Sequence, residues 1–261
     1  MNNILQKLLC AFFIISAIKC TAKAGPMDTT LLANNNINSS TVTIIKAPNV
    51  IYPFSIQAHR DKTLSYTQKY GNTKREYITR MYQKGKKYFP KVVSVFKKYD
   101  LPQELKVLVA LESGFDANAV SSAGAVGYWQ MMGEAATDYG LKFSANNDDR
   151  KNFSKSTLAA AKYFRDGAKL YNKDILLMVA SYNCGNGNVR KALRKSGKTN
   201  ADFWDIKKHL PAETRNYVMN FIALSVIFEN YEKFSKKQLV FTAESIEVPN
   251  IDISKINIMI N

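Results

Sequence analysis

Glu112 is set apart from the other acids of the chain by its surroundings. In the segment Leu101–Gly114, Leu105, Leu108, Val109 and Glu112 fall at i, i+3, i+4 and i+7, so a helix there carries a carboxyl group on an apolar stripe. Pro102 suits the first helical turn, and Gly114 suits the left-handed position just past a helix end. Burial disfavours the ionised carboxylate, and the negative end of the helix dipole acts in the same direction. Such a group holds its proton near neutral pH and can serve as a general acid. The spacing also fits a glutamate that turns to water or pairs with a lysine, so periodicity alone leaves both readings open. Asp116 lies just across the predicted helix end, and no close second acid has an equally apolar setting. A distant partner such as Glu213 stays open.

The residues that follow narrow the choice. Glu112-Ser113-Gly114-Phe115 leads into Ala119-Val120-Ser121-Ser122-Ala123-Gly124-Ala125-Val126-Gly127-Tyr128-Trp129-Gln130-Met131-Met132; further on come Ala180-Ser181-Tyr182-Asn183-Cys184-Gly185 and Leu210-Pro211-Ala212-Glu213-Thr214-Arg215-Asn216-Tyr217-Val218. In this order the blocks resemble the catalytic core of lytic murein transglycosylases of the goose-lysozyme-like superfamily. The last block, with Phe203-Trp204 before it, resembles the membrane-bound lytic transglycosylase D type. The resemblance covers roughly Tyr88 to Tyr231. Ala117, Ser122, Tyr128, Gly133, Ala135 and Met219 depart from the family pattern, mostly at loop-stiffening or packing positions.

The resemblance implies that Glu112 protonates the oxygen of the β-1,4 bond between N-acetylmuramic acid and N-acetylglucosamine. The same carboxylate then takes the proton from the muramyl C6 hydroxyl, closing a 1,6-anhydro ring without water. One group can do both because the transfers are sequential, unlike the paired carboxylates of most glycosidases. It also implies that Ser121, Gln130, Met132, Tyr182, Asn183, Glu213 and Tyr217 line the substrate cleft. Four of them have a plainer explanation: Ser121 as a turn residue, Gln130 as a loop-to-helix cap, Glu213 as a first-turn acid favoured by the helix dipole, Tyr217 as the start of a core stripe.

Other chemistries fit poorly. Gly197-Lys198-Thr199 looks like the end of a phosphate loop, but the earlier glycine is replaced by Ala192, so a nucleotide site is rejected. His59 and His209 lack metal-ligand spacing, so neither a metal nor another cofactor is expected. Cys184 fills an alanine-like position and reads as a small buried thiol rather than a nucleophile. Trp129 reads as structural.

The elements that must position Glu112 are helical. Helical signals run from about Lys74 to Phe234, with Tyr217, Phe221, Leu224, Phe228 and Tyr231 on one stripe and Leu158, Ala161, Phe164, Ala168 and Tyr171 on another. Turn chemistry at 121–127, 146–149, 183–187 and Leu210-Pro211 cuts this region into about seven helices. The fold class is mainly α, a lysozyme-like helical domain over 73–235 with a short extended or β segment in the tail, 236–261, packed on the domain. Residues 25–72, rich in Asn, Thr and Ser, read as a flexible tether with one extended piece near Val42–Ile45.

The first 24 residues read as a signal peptide: Lys7, an apolar run from Leu8 to Ile18, and Ala22-Lys23-Ala24 as cleavage site. Export to the bacterial periplasm or cell envelope is expected. Lipidation at Cys20 fits less well, because Lys19 precedes it. The chain has 261 residues, 46% of them hydrophobic, and a net charge of +16. That balance excludes wholesale disorder. Outside the cytoplasm the charge favours anionic envelope surfaces and peptidoglycan strands rather than nucleic acid, and the protein is expected to act as a monomer. The leading expectation is a peptidoglycan lytic transglycosylase; a hydrolytic muramidase on the same fold and a catalytically inactive wall-binding protein are the alternatives.

Overall fold

The computed structural model describes residues 41–249. The expected signal peptide, the first part of the expected tether, the Cys20 alternative and the end of the tail lie outside the described residues. Two units are distinguished. One holds a two-stranded sheet in which β1 (Thr41–Lys46) pairs with β2 (Glu244–Pro249). The extended pieces expected at 42–45 and in the tail thus find each other.

The larger unit, Ala47–Glu244, is helical. Its elements are α1 (Arg60–Thr73), α2 (Arg75–Gly85), α3 (Phe89–Lys97), α4 (Leu108–Glu112), α5 (Gly133–Asp138), α6 (Phe153–Leu170), α7 (Ile175–Ser196), α8 (Phe203–Ile206), α9 (Ala212–Glu229) and α10 (Tyr231–Ser235). Tight helical turns precede α1 at Phe54–His59 and α4 at Gln103–Val107. Start signals are local: Asn152 caps α6, Asp174 accepts from the Leu176 and Leu177 amides to cap α7, and Asp202 forms a capping box with Asp205 at α8. No helix among the described residues is long and apolar enough to cross a membrane.

The centre of this unit is α9. Val218, Phe221, Ile222, Leu224, Val226 and Ile227 are all buried, so it is enclosed on every side rather than presenting the single stripe expected. That stripe also breaks at Asn230, where α9 ends and α10 begins. In α6 the expected stripe needs one change: Leu158 is 41% exposed, while Thr157 and Ala160 turn inward.

The tether does not extend to residue 72. Helix α1 packs chiefly along α9, with Thr63, Thr67 and Gly71 buried at i, i+4 and i+8. These small side chains allow close approach: a Cβ at Gly71 would lie 3.2 Å from Ile227 Cδ1. The entry to α1 is pinned from the far end of the unit. Asn230 accepts from the Ile51 amide at 2.9 Å and donates to the Ile51 carbonyl at 2.6 Å. Asn49 pairs likewise with Val240 and Gln238. The helical body therefore starts near residue 47, not 73.

Candidate active site

Glu112 is the last residue of α4, and Gly114 follows with φ 58°, the left-handed turn its position suggested. Leu105, Leu108 and Val109 are wholly buried, so the apolar stripe holds as read. Glu112 itself is half-buried. Desolvation, opposed by one hydrogen bond and assisted by the charge of Glu213, pushes its carboxyl from 4.5 up to about 7. The hydrogen bond comes from Tyr217 in the second turn of α9, whose hydroxyl donates to Glu112 Oε1. Burial pushes the Tyr217 hydroxyl well above its ordinary value, so it stays a donor. At neutral pH Glu112 is therefore poised between acid and base, with one oxygen held.

The loop from Ser113 to Met132 is built to hold the end of α4. Ser113 donates to the Tyr128 carbonyl at 2.9 Å. Val126 bridges both Val120 and Met131. Gly127 has φ 81°, and a Cβ there would lie 2.2 Å from the Arg150 carbonyl oxygen, so no larger residue fits. Trp129 is fully buried, stacks on Phe96 at 5.5 Å and donates to Thr157 at 3.1 Å, which makes it the structural anchor of the loop.

Gln130 adopts φ 47°, and its side-chain amide donates to the Ala119 and Gly127 carbonyls. Its amide nitrogen is thus taken up by the loop. Ser121 Oγ accepts from the Ala125 amide at 3.0 Å, closing a turn. The turn explanation describes what Ser121 does here; Gln130 is tied into the loop rather than capping a helix, since Met132 stands at the N-cap of α5 without a side-chain bond.

A pocket of about 360 Å³ brings Gln130, Met132, Tyr182 and Asn183 together. Met132 is 46% exposed at its edge. Tyr182 stacks on Phe164 at 4.9 Å and donates to the Trp129 carbonyl at 2.6 Å, while its hydroxyl feels the charge of Glu112. Asn183 Oδ1 accepts from Thr214 at 2.7 Å, which leaves its amino group as the donor the pocket can use. Glu213, beside Thr214 at the start of α9, is exposed. Gly185, with φ 82° and ψ 152°, breaks α7 at the wall of this pocket and ends the half-helix that carries Tyr182 and Asn183.

Six further residues line this pocket beyond those expected, among them Met131, Ala135 and Gly185. Tyr163 on α6, Ser181 and Cys184 all line it, and Tyr163 donates to the Ser181 carbonyl at 3.0 Å. Ser181 and Cys184 flank the Tyr182-Asn183 pair, so adjacency was a signal; Tyr163 had none. Cys184 is half-buried rather than buried, and desolvation raises its thiol above the ordinary value, which opposes a thiolate nucleophile.

The matched residues decide the family of this site. The family model described as the transglycosylase SLT domain matches 95–204, which includes Glu112, the loop to Met132 and the Tyr182-Asn183 pair. Residues 95–204 form a transglycosylase SLT domain. Beyond the SLT domain the likeness continues: over 196 residues, 74% of its length, the chain is 35% identical to the membrane-bound lytic murein transglycosylase D of Escherichia coli K12, and equally to that of a second E. coli strain. The chain spans 42% of the length of these curated relatives. Among solved structures, the lytic transglycosylase Slt of Pseudomonas aeruginosa is 23% identical with a TM-score of 0.46, covering 56% of this chain and 24% of that one. The 70 kDa soluble lytic transglycosylase of E. coli is 24% identical with a TM-score of 0.45, covering 56% and 25%.

Proposed function

We propose that the protein is an exported peptidoglycan lytic transglycosylase that cleaves the β-1,4 bond between N-acetylmuramic acid and N-acetylglucosamine and leaves 1,6-anhydromuramic acid ends. The observation that carries this reading is the state of Glu112: a half-buried carboxyl raised to about 7, held by the Tyr217 hydroxyl inside the SLT domain. Protonated, Glu112 gives its proton to the glycosidic oxygen; ionised by that transfer, it takes the C6 hydroxyl proton as the oxygen attacks the anomeric carbon. The proton count returns to its start, and no water enters. Met132, Tyr182 and Asn183 would hold the sugar, with apolar faces for the ring and the free amino group of Asn183 for an acetamido oxygen. Gln130 and Ser121 would act by fixing the loop that shapes this cleft.

The charge of Glu213 reaches Glu112, which keeps hydrolysis in view: an exposed carboxylate could activate water and make the protein a muramidase. The test is mass spectrometry of fragments released from purified sacculi by the wild type and by Glu112→Gln. Fragments ending in 1,6-anhydromuramic acid, lost in the variant, are expected. Reducing ends would make the protein a muramidase, and binding without release would make it a wall-binding protein.

A further inference from the structure

An open concavity of about 520 Å³ at the start of α9 plays no part in the chemistry above. It is lined by Trp204 of α8, by Lys207 and Lys208 of the helical turn Lys207–His209 that follows, and by Arg215 in the first turn of α9. No carboxylate lines it. Asp205, next to Trp204 in the chain, is taken up by Lys198 and by the Asp202 amide. Among the described residues none of the three cations forms an ion pair. The indole between them is fixed, since its Nε1 donates to His59 Nδ1 at 3.1 Å. The Lys207 ammonium stands 5.0 Å from the centre of the Trp204 ring, and that of Lys62 on α1 stands 5.2 Å from it. Burial lowers the Lys207 value, and the charge of Arg215 lowers it further. The fold thus holds like charges together with no answering acid, a cost that a bound anion would offset.

Arg215 gives Nη1 to the Leu210 carbonyl at 2.8 Å, so its fork is held in place with N–H groups to spare. A planar fork and two ammonium groups around one point match the oxygens of a phosphate. The half-buried indole beside them is the kind of amphipathic side chain that settles at a membrane–water interface. A small soluble anion would use the cations and leave the ring without a role. Resting on the reading of the protein as exported to the envelope, we propose that this concavity docks the phosphate headgroup of an anionic membrane lipid. Its place on α9 gives the docking a direction. Successive helical residues turn by about 100°, so Arg215 points about 200° away from both Glu213 and Tyr217, the two residues of α9 that act on Glu112. A protein held by this face keeps its cleft turned away from the bilayer. Lys207, Lys208 and Arg215 all lie beyond the SLT match at 95–204.

The test uses the protein from Gly25 onward, the form that cleavage of the expected leader leaves, so that the apolar run of the leader does not bind lipid itself. The probes are vesicles of phosphatidylglycerol in phosphatidylcholine, vesicles of phosphatidylcholine alone, and inorganic phosphate, followed by co-sedimentation and by tryptophan emission. The chain has two tryptophans, and Trp129 is fully buried, so a change in emission reports Trp204. Anionic vesicles should bind and shift the emission, and neutral vesicles should do neither. Lys207→Gln with Lys208→Gln should weaken binding about 25-fold, at about fivefold for each cation near an anionic surface. Lys97→Gln with Lys98→Gln, exposed at the end of α3, removes the same net charge and should cost under about threefold. Unaltered thermal melting confirms that each variant folds. No binding to anionic vesicles, binding without a change in emission, an equal loss for both lysine pairs, or an emission shift with inorganic phosphate but not with vesicles would overturn the proposal. Fragment release from sacculi needs no bilayer and reports separately on Glu112.

Discussion

At the residue scale, one hydrogen bond tunes the acid. The Tyr217 hydroxyl favours the ionised form of Glu112 and so lowers a value that burial raises. In Tyr217→Phe the Glu112 value should rise, and the alkaline limb of the pH–rate profile should move to higher pH with it; an unmoved limb would show that Glu112 does not set it. The same carboxyl affects stability. Between 4.5 and about 7 the folded state holds a proton that the unfolded state releases. Stability is therefore fully present below 4.5 and falls as pH rises through 7, by up to about 3 kcal/mol. Glu112→Gln cannot ionise, so it should gain on wild type in denaturant unfolding at pH 8 and lose that gain at pH 4. Of these residues, Glu112 stood out in the sequence by its apolar neighbours, which left its role open until the motif that follows it was read. Tyr217 was legible only as an ambiguity between core and cleft; its ring packs against the core and its hydroxyl reaches the acid.

At the element scale, the loop from Ser113 to Met132 is specified by backbone as much as by side chains. Gly124 and Gly127 both have positive φ, at 86° and 81°, but only Gly127 faces a backbone atom. Gly127→Ala should cost about 3 kcal/mol or more in chemical denaturation and loosen the grip on α4, whereas Gly124→Ala, with open space around it, should cost about 1 kcal/mol. Equal costs would mean that strain alone, not the approach to Arg150, governs this turn. The motif blocks made α4, α7 and the start of α9 readable. Helix α1 was not, because Thr63, Thr67 and Gly71 make its buried face; no large apolar residue marks the period there. Leu158 misled for the converse reason, an apolar residue at the right spacing whose place in the core is taken by Thr157, the partner of Trp129.

At the scale of the whole molecule, charge dominates. With 37 Lys+Arg against 21 Asp+Glu, attraction to an anionic wall should be long-ranged and screened by salt. Binding of Glu112→Gln to sacculi should weaken steadily as salt rises from about 50 to 500 mM, in pelleting assays; salt-insensitive binding would leave the cleft alone as the source of affinity. The sequence gives that charge directly. What it did not reveal is how far the helical body reaches, because the contacts that extend it to residue 47 join polar backbone groups to Asn230 and Asn49 across long separations.

Those clasps also impose an order in time. The partners of Ile51 on Asn230 lie 179 positions downstream, and the Asn49 side chain answers Val240 at a separation of 191. A chain delivered from its N-terminus presents α1 with nothing to lie against until α9 has followed, and such distant closures are slow. Glu112 emerges well before Tyr217, so during delivery the acid exists without the hydroxyl that tunes it. A site assembled this way stays incomplete until the residues of α9 have followed.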